Sequence, residues 1–294
     1  MKNNQKTVFK GTCTALITPF RDGKIDFFSF KKLIEFQIQA GINALLVCGT
    51  TGESTTLSDN EKRELISFTV REVAGRVPVI AGTGSNDTHR ALSLSEFASS
   101  IGADALLIVT PYYNKATGEG LIKHFGTIAD SVEAPIILYN VPSRTGVNIP
   151  LETYDDILKY ENIIALKEAS ANMSYFANVS CRYGNIIDIY SGNDDLILPT
   201  LSLGGMGVIS VLSNALPKET VQMCNLYFEG KTKEATALQL KLLPLINAIF
   251  SEVNPIPIKA LLSYMGICHE EYRLPLCKMN QNLKNKLIET YNGI

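Results

Sequence analysis

The sequence is short of the features that mark metal proteins, exported proteins and nucleic-acid binders. Its three histidines, His89, His124 and His269, lie far apart, none at ligand spacing from a cysteine or carboxylate, so no metal is expected. The six cysteines, Cys13, Cys48, Cys181, Cys224, Cys268 and Cys277, include no C-x-x-C pair. Cys13 and Cys48 fall inside apolar runs, and all six read as small buried hydrophobes of a reducing cytoplasm. Lysine and arginine total 27 against 29 aspartate and glutamate. These charges are dispersed, which leaves no footprint for nucleic acid or an anionic membrane and makes small molecules the expected partners. No stretch reaches the roughly 18 apolar residues of a spanning helix, and the polar segment from Met1 to Lys10 has no apolar core of a signal peptide. A cytoplasmic location is expected. Gly52-Glu53-Ser54 lacks the frame of a nucleophile elbow, and Gly82-Thr83-Gly84 lacks the third glycine of a dinucleotide fingerprint, so no nucleotide cofactor is indicated.

What is present is globular and regular. Hydrophobic residues make up 46% of the 294 and charged residues 19%, and closed α/β barrels of this length form around one core. Short runs rich in Val, Ile and Leu occupy residues 12–18, 44–48, 77–82, 105–110, 136–140, 163–167, 186–191 and 207–211. Each is followed by a polar loop and an amphipathic stretch. The runs are apolar at nearly every position, as in strands of a parallel sheet buried on both faces. About eight such units predict a (β/α)₈ TIM barrel. An internal echo agrees: residues 41–47 resemble 102–108, and 77–80 resemble 134–137, each pair separated by about two βα units. After about Ser213 the pattern is helical only. Residues 218–228 and 232–250 carry apolar positions at helical spacing, Pro255 and Pro257 break the chain, and 259–265 resume it. The expected organisation is a catalytic barrel over 1–228 and a C-terminal helical extension over 229–294, packed on the barrel or on another subunit.

In such a barrel the chemistry gathers at the C-terminal ends of the strands, where the βα loops are built. Lys167 ends an apolar run, so its stem lies on the barrel rim and its ammonium is drawn from bulk water. Desolvation favours the neutral amine, a nucleophile toward carbonyls; the competing reading is a structural pair with Glu168. Tyr139 ends the preceding strand, from where a phenol can give and accept a proton. Thr50 and Thr51, in a glycine-flanked turn, offer hydroxyls and backbone N–H groups to a small carboxylate. Arg144, beyond Pro142, offers a planar fork to a second one. Gly204-Gly205-Met206-Gly207 enters the last strand, where many barrels hold phosphate, so a phosphorylated substrate stays open.

Taken together, G-T-T-G-E-S at 49–54, Y-N-V-P-S-R-T-G at 139–146, I-I-A-L-K-E at 163–168 and G-G-x-G-V-I-S at 204–210 resemble the dihydrodipicolinate synthase family of pyruvate-dependent Schiff-base aldolases. The match runs from about Gly11 to Leu276. The resemblance implies a cofactor-free lyase, commonly a homotetramer, that condenses pyruvate with L-aspartate 4-semialdehyde at the first committed step of diaminopimelate and lysine biosynthesis. It implies a Schiff base on Lys167 and a proton relay of Tyr139, Thr50 and Tyr113, with Tyr113 supplied by a neighbouring subunit. Thr51 and the backbone of Ile209 would bind pyruvate, Gly192 would line the pocket, and Arg144 would take the semialdehyde carboxylate. N-acetylneuraminate lyase and 2-keto-3-deoxy-sugar-acid aldolases share the lysine and tyrosine, and Arg144 is the residue that separates them. A lysine-inhibition pocket would be made of Ser54, Thr55, Asp59, Lys62, Asn86, Arg90 and Tyr112. Asp59, Lys62 and Arg90 depart from the lysine-sensitive pattern, so this pocket is expected to be non-functional, with Lys62 partly pairing Asp59.

Overall fold

A computed structural model describes residues 7–294. Eight parallel strands close into a barrel: Gly11–Ala15, Ala44–Val47, Val79–Gly82, Ala105–Val109, Ile136–Asn140, Ile163–Glu168, Asp188–Ser191 and Gly207–Ser210. Each pairs with its sequence neighbours, and the first closes on the eighth in the register Gly11 to Gly207 through Thr14 to Ser210. The fold is therefore the expected (β/α)₈ barrel, with helices around it and at its C-terminal end.

The near-continuous apolar runs are explained by two cores. Alternate residues of each strand face outward, where Leu45, Val47, Leu106, Ile108, Leu138 and Leu166 pack under the helices. The intervening ones face inward, where Cys13, Leu46, Ile80, Leu107, Ile137 and Tyr190 fill the barrel. Inside and outside are both dry, so the strands show little hydrophobic alternation.

Three strands fall short of their apolar runs by two residues or more, each for a local reason. Residues 16–18 stay buried, but after Leu16, which donates to the Leu46 carbonyl at 2.9 Å, the chain leaves the ladder, and the Asn214 side chain accepts the Ile17 N–H at 3.2 Å. Pro78 has no N–H, and Val79, where the ladder begins, donates its own to Asp104 at 2.8 Å. Ile186, half exposed, donates its N–H to Tyr183 in the turn out of the preceding helix.

The four-residue run Gly204–Gly207 enters the eighth strand from below, at the end opposite the βα loops. Gly207 sits at φ +154 with its Cα against the Gly11 backbone, and a Cβ at Gly205 would lie 2.8 Å from the Thr200 carbonyl. These glycines serve close packing at the barrel seam, so the cue for phosphate is withdrawn.

Beyond Phe228 the chain forms helices Thr232–Ile249, Ile256–Tyr264 and Gln281–Asn292. The first packs on helix Pro217–Phe228. The last was not singled out from sequence: its stripe of Leu283, Leu287 and Tyr291 is short, and of the three only Leu287 is fully buried. A short antiparallel ribbon, Phe20–Arg21 with Lys24–Ile25, also escaped notice. Its turn is held from the far end of the chain, where the Glu271 carboxylate accepts the N–H groups of Asp22 at 2.9 Å and Gly23 at 2.6 Å. Among the described residues no helix is long and apolar enough to cross a membrane.

Candidate active site

The fifth and sixth strands pair Tyr139 with Lys167 and Asn140 with Glu168, and strand alternation sends the two pairs to opposite faces. Tyr139 and Lys167 point into the barrel mouth. Each is 6% exposed, and the Lys167 Nζ lies over the tyrosine ring, 4.3 Å from its centroid. Among the described residues Lys167 forms no ion pair. The structural pairing with Glu168 is excluded by geometry, because that carboxylate faces outward. It accepts from Asn140 Nδ2 at 2.8 Å and from the Ser170 N–H at 2.6 Å, and burial pushes its carboxyl above the usual range. The outer pair, with Asn140 also bonded to Asn148 and Ile149, fixes the strand ends that carry the inner one.

The inner wall is tight. A Cβ at Gly192 would meet Ala169 Cβ at 2.5 Å and the Lys167 Cε at 3.1 Å. Ile209 is fully buried on the eighth strand, in register with Cys13. Burial raises the Cys13 thiol far above its usual value, which makes it an inert floor to the site.

Beside the barrel mouth lies a cavity of about 280 Å³ whose wall includes Thr50, Tyr112, Val141, Arg144 and Asn254. Ser54, Thr55 and Lys62 line the same cavity. Arg144 donates from Nη2 to the Asn254 carbonyl at 3.2 Å, and Thr51, 2% exposed, accepts from Asn254 Nδ2 at 3.0 Å. Lys167 and Tyr139 do not form its wall; they belong to the barrel interior. Tyr113 is outside it too, 91% exposed at φ 72. Asp59 and Arg90 face each other on the surface at 3.5 Å. Asp59 thus takes Arg90 as its partner and not Lys62. The Asn86 carbonyl accepts from Asn114 at 2.9 Å.

A profile of the Dihydrodipicolinate synthetase family matches residues 8–292. The chain belongs to that family. A 4-hydroxy-tetrahydrodipicolinate synthase of Clostridium novyi is 49% identical over 290 residues, 97% of this chain and 98% of its own. The dihydrodipicolinate synthase structure from Aquifex aeolicus superposes with a TM-score of 0.95 at 44% identity, covering 97% of this chain and 98% of that one. A structure described as the first monomeric dihydrodipicolinate synthase variant superposes with a TM-score of 0.94 at 41% identity, covering 97% and 96%.

Several residues of this family member that hold the site in place were not singled out from sequence. Glu53, in the loop after the second strand, and Lys259, in helix Ile256–Tyr264, form a fully buried ion pair at 2.6 Å. Nearby, Arg273 grips Glu61 through two hydrogen bonds of 2.6 and 2.8 Å, holding that carboxyl down at about 2. Asp194 is buried after the seventh strand, where one oxygen accepts the N–H groups of Val211 and Leu212 and the other has no hydrogen-bond partner within range among the described residues. Burial raises its carboxyl. For Lys259 the signal was a charge in an otherwise apolar segment, and for Glu53 and Asp194 a place in a polar strand-end loop; neither signal carries a partner. The cysteine expectation needs correction as well: Cys181 and Cys277 are exposed, and the other four are buried. Among the described residues no group of His, Cys, Asp and Glu is placed to hold a metal.

Proposed function

We propose that this chain is a Schiff-base lyase that condenses pyruvate with L-aspartate 4-semialdehyde to 4-hydroxy-tetrahydrodipicolinate, the committed step of diaminopimelate and lysine biosynthesis. The observation that carries the reading is a buried amine with no ion-pair partner among the described residues, lying over a tyrosine ring at the catalytic end of the barrel. The amine of Lys167 adds to the pyruvate carbonyl and water leaves. The resulting imine draws electrons from the adjacent methyl carbon, so a proton departs and the enamine attacks the aldehyde, whose oxygen takes up a proton; the semialdehyde's own amine then attacks the imine carbon, closing the ring and releasing the Lys167 amine. Tyr139 gives and receives the protons, relayed through Thr50 and Tyr113. Thr51 and the Ile209 backbone hold the pyruvate carboxylate, and Gly192 leaves room for the adduct. Arg144, at the cavity wall, takes the semialdehyde carboxylate through its fork; this favours the condensation over cleavage of neutral polyol chains by the sugar-acid lyases of the same fold.

Within one chain Tyr113 lies on the surface, so its relay role requires a neighbouring copy of the protein. A homotetramer in the cytoplasm is the assembly we infer, with residues 229–294 acting as an extension docked on the barrel of 1–228.

The decisive experiment is borohydride reduction in the presence of pyruvate. It is expected to add a reduced pyruvyl mass to the peptide holding Lys167 and to abolish turnover of aspartate semialdehyde. Labelling at another residue, or none, would falsify the assignment. Wild-type protein given N-acetylneuraminate should yield no pyruvate; its release there would favour the sugar-acid reading.

A further inference from the structure

Asn254 belongs to neither the barrel nor any strand-end motif, yet it touches both halves of the site. It lies in the C-terminal extension and is 7% exposed. Its side-chain Nδ2 donates to Thr51 Oγ1 at 3.0 Å, while its backbone carbonyl accepts from Arg144 Nη2 at 3.2 Å. The side-chain Oδ1 is buried with no hydrogen-bond partner among the described residues. A carboxamide retained for packing alone would be better replaced by an apolar group of like size, since an unmet buried acceptor destabilises. What the side chain supplies is the donor to Thr51.

That donor has a chemical consequence. A threonine hydroxyl has one proton and two lone pairs. With one lone pair occupied by Asn254, and no acceptor among the described residues taking the Thr51 proton, the hydroxyl is set to donate into the site. A carboxylate is the ligand that wants it.

We propose that Asn254 is a positioning residue for pyruvate, acting through the Thr51 hydroxyl, and that the C-terminal extension thereby completes the pyruvate subsite. The inference rests on the reading of the function given above. It makes an asymmetric demand, because side-chain replacement removes the contact to Thr51 but leaves the backbone carbonyl that Arg144 uses. Asn254→Ala should therefore raise the KM for pyruvate roughly five- to tenfold, the worth of one buried neutral hydrogen bond. The KM for aspartate semialdehyde should stay within about twofold, on the same principle that an untouched contact costs nothing. Asn254→Asp keeps the volume, loses the donor and brings a negative charge toward the substrate carboxylate, so its pyruvate KM should rise further. In a Thr51→Val background, Asn254→Ala should add nothing.

The test is steady-state kinetics for both substrates in wild type, N254A, N254D, T51V and the T51V/N254A double variant, with pyruvate-dependent borohydride trapping at Lys167 as a second readout. Supporting results are a selective rise in pyruvate KM, a matching shift in the pyruvate concentration needed for trapping, and no additional effect in the T51V background. Equal rises in both KM values, an unchanged pyruvate KM in both Asn254 variants, or a full additional effect in T51V would overturn the role given to Asn254. Wild-type protein that fails to trap pyruvate at all would instead sink the reading of the function, so the two failures are separable.

Discussion

A methyl group at Gly192 has nowhere to go. The Ala169 Cβ would lie 2.5 Å away and the Glu168 carbonyl 3.1 Å away, both tied to backbone, so the Lys167 stem or the whole loop must move. Lys167 is placed by its register against Tyr139, and a shift of about 1 Å in the proposed nucleophile is enough to cost rate heavily. Gly192→Ala is expected to slow trapping of pyruvate at Lys167 by at least about tenfold while the folded barrel persists. Single-turnover borohydride trapping beside circular dichroism checks it; wild-type trapping rates would show that the pocket wall yields. Under the proposed function the single residues that matter most are thus of two kinds, the reactive Lys167 and the small groups that give it room.

The loop after the second strand and helix Ile256–Tyr264 are joined through Glu53 and Lys259, both fully buried. A buried pair gains little over apolar residues of the same shape, but removing one partner strands a charge out of water. Lys259→Met should therefore destabilise the protein by about 3–5 kcal/mol, and adding Glu53→Gln should recover much of that loss. Thermal or urea unfolding of the two single variants and the double variant measures this coupling; equal, additive losses would remove the pair from the account. Because Glu53 follows Thr50 and Thr51 in the same loop, the Lys259→Met variant should also bind pyruvate less well. The elements of the C-terminal extension are in this sense parts of the site, reaching it through Glu53 and Asn254.

At the scale of the assembly, Tyr113 and the residues that the family resemblance assigns to a lysine-inhibition pocket lie at or near the open surface of a single chain. Ser54, Thr55, Lys62 and Tyr112 share the cavity with Thr50 and Arg144, while Arg90 and Asp59 pair with each other at 3.5 Å outside it. A lysine ligand brings an ammonium into a region already holding Lys62 and the Arg90 guanidinium, and the carboxylates there are taken, Asp59 by Arg90 and Glu53 by Lys259. L-Lysine is accordingly expected to inhibit weakly or not at all. Initial rates at saturating pyruvate against millimolar L-lysine decide the matter, and strong inhibition at sub-millimolar concentration would show that the pocket recruits other groups.

Pattern alone determined the class of fold here, since eight apolar runs with intervening helical stretches admit few other closures, and it placed Lys167, Tyr139, Thr50, Thr51 and Arg144 at strand ends. Those inferences work because strand period and loop position are local properties of the chain. The partners of charged residues were settled only by the tertiary structure. Glu168 turns outward to Asn140 and Ser170, Asp59 finds Arg90 rather than Lys62, and Glu53 finds Lys259 more than two hundred residues away. The glycines at 204–207 likewise proved to be packing groups at the barrel seam. Asn254 could not be read from sequence at all, because nothing in a lone asparagine before a proline states that chain closure will bring its two polar ends to Thr51 and Arg144. Contacts between residues so far apart along the chain come into being only when the barrel closes and the extension folds back on it.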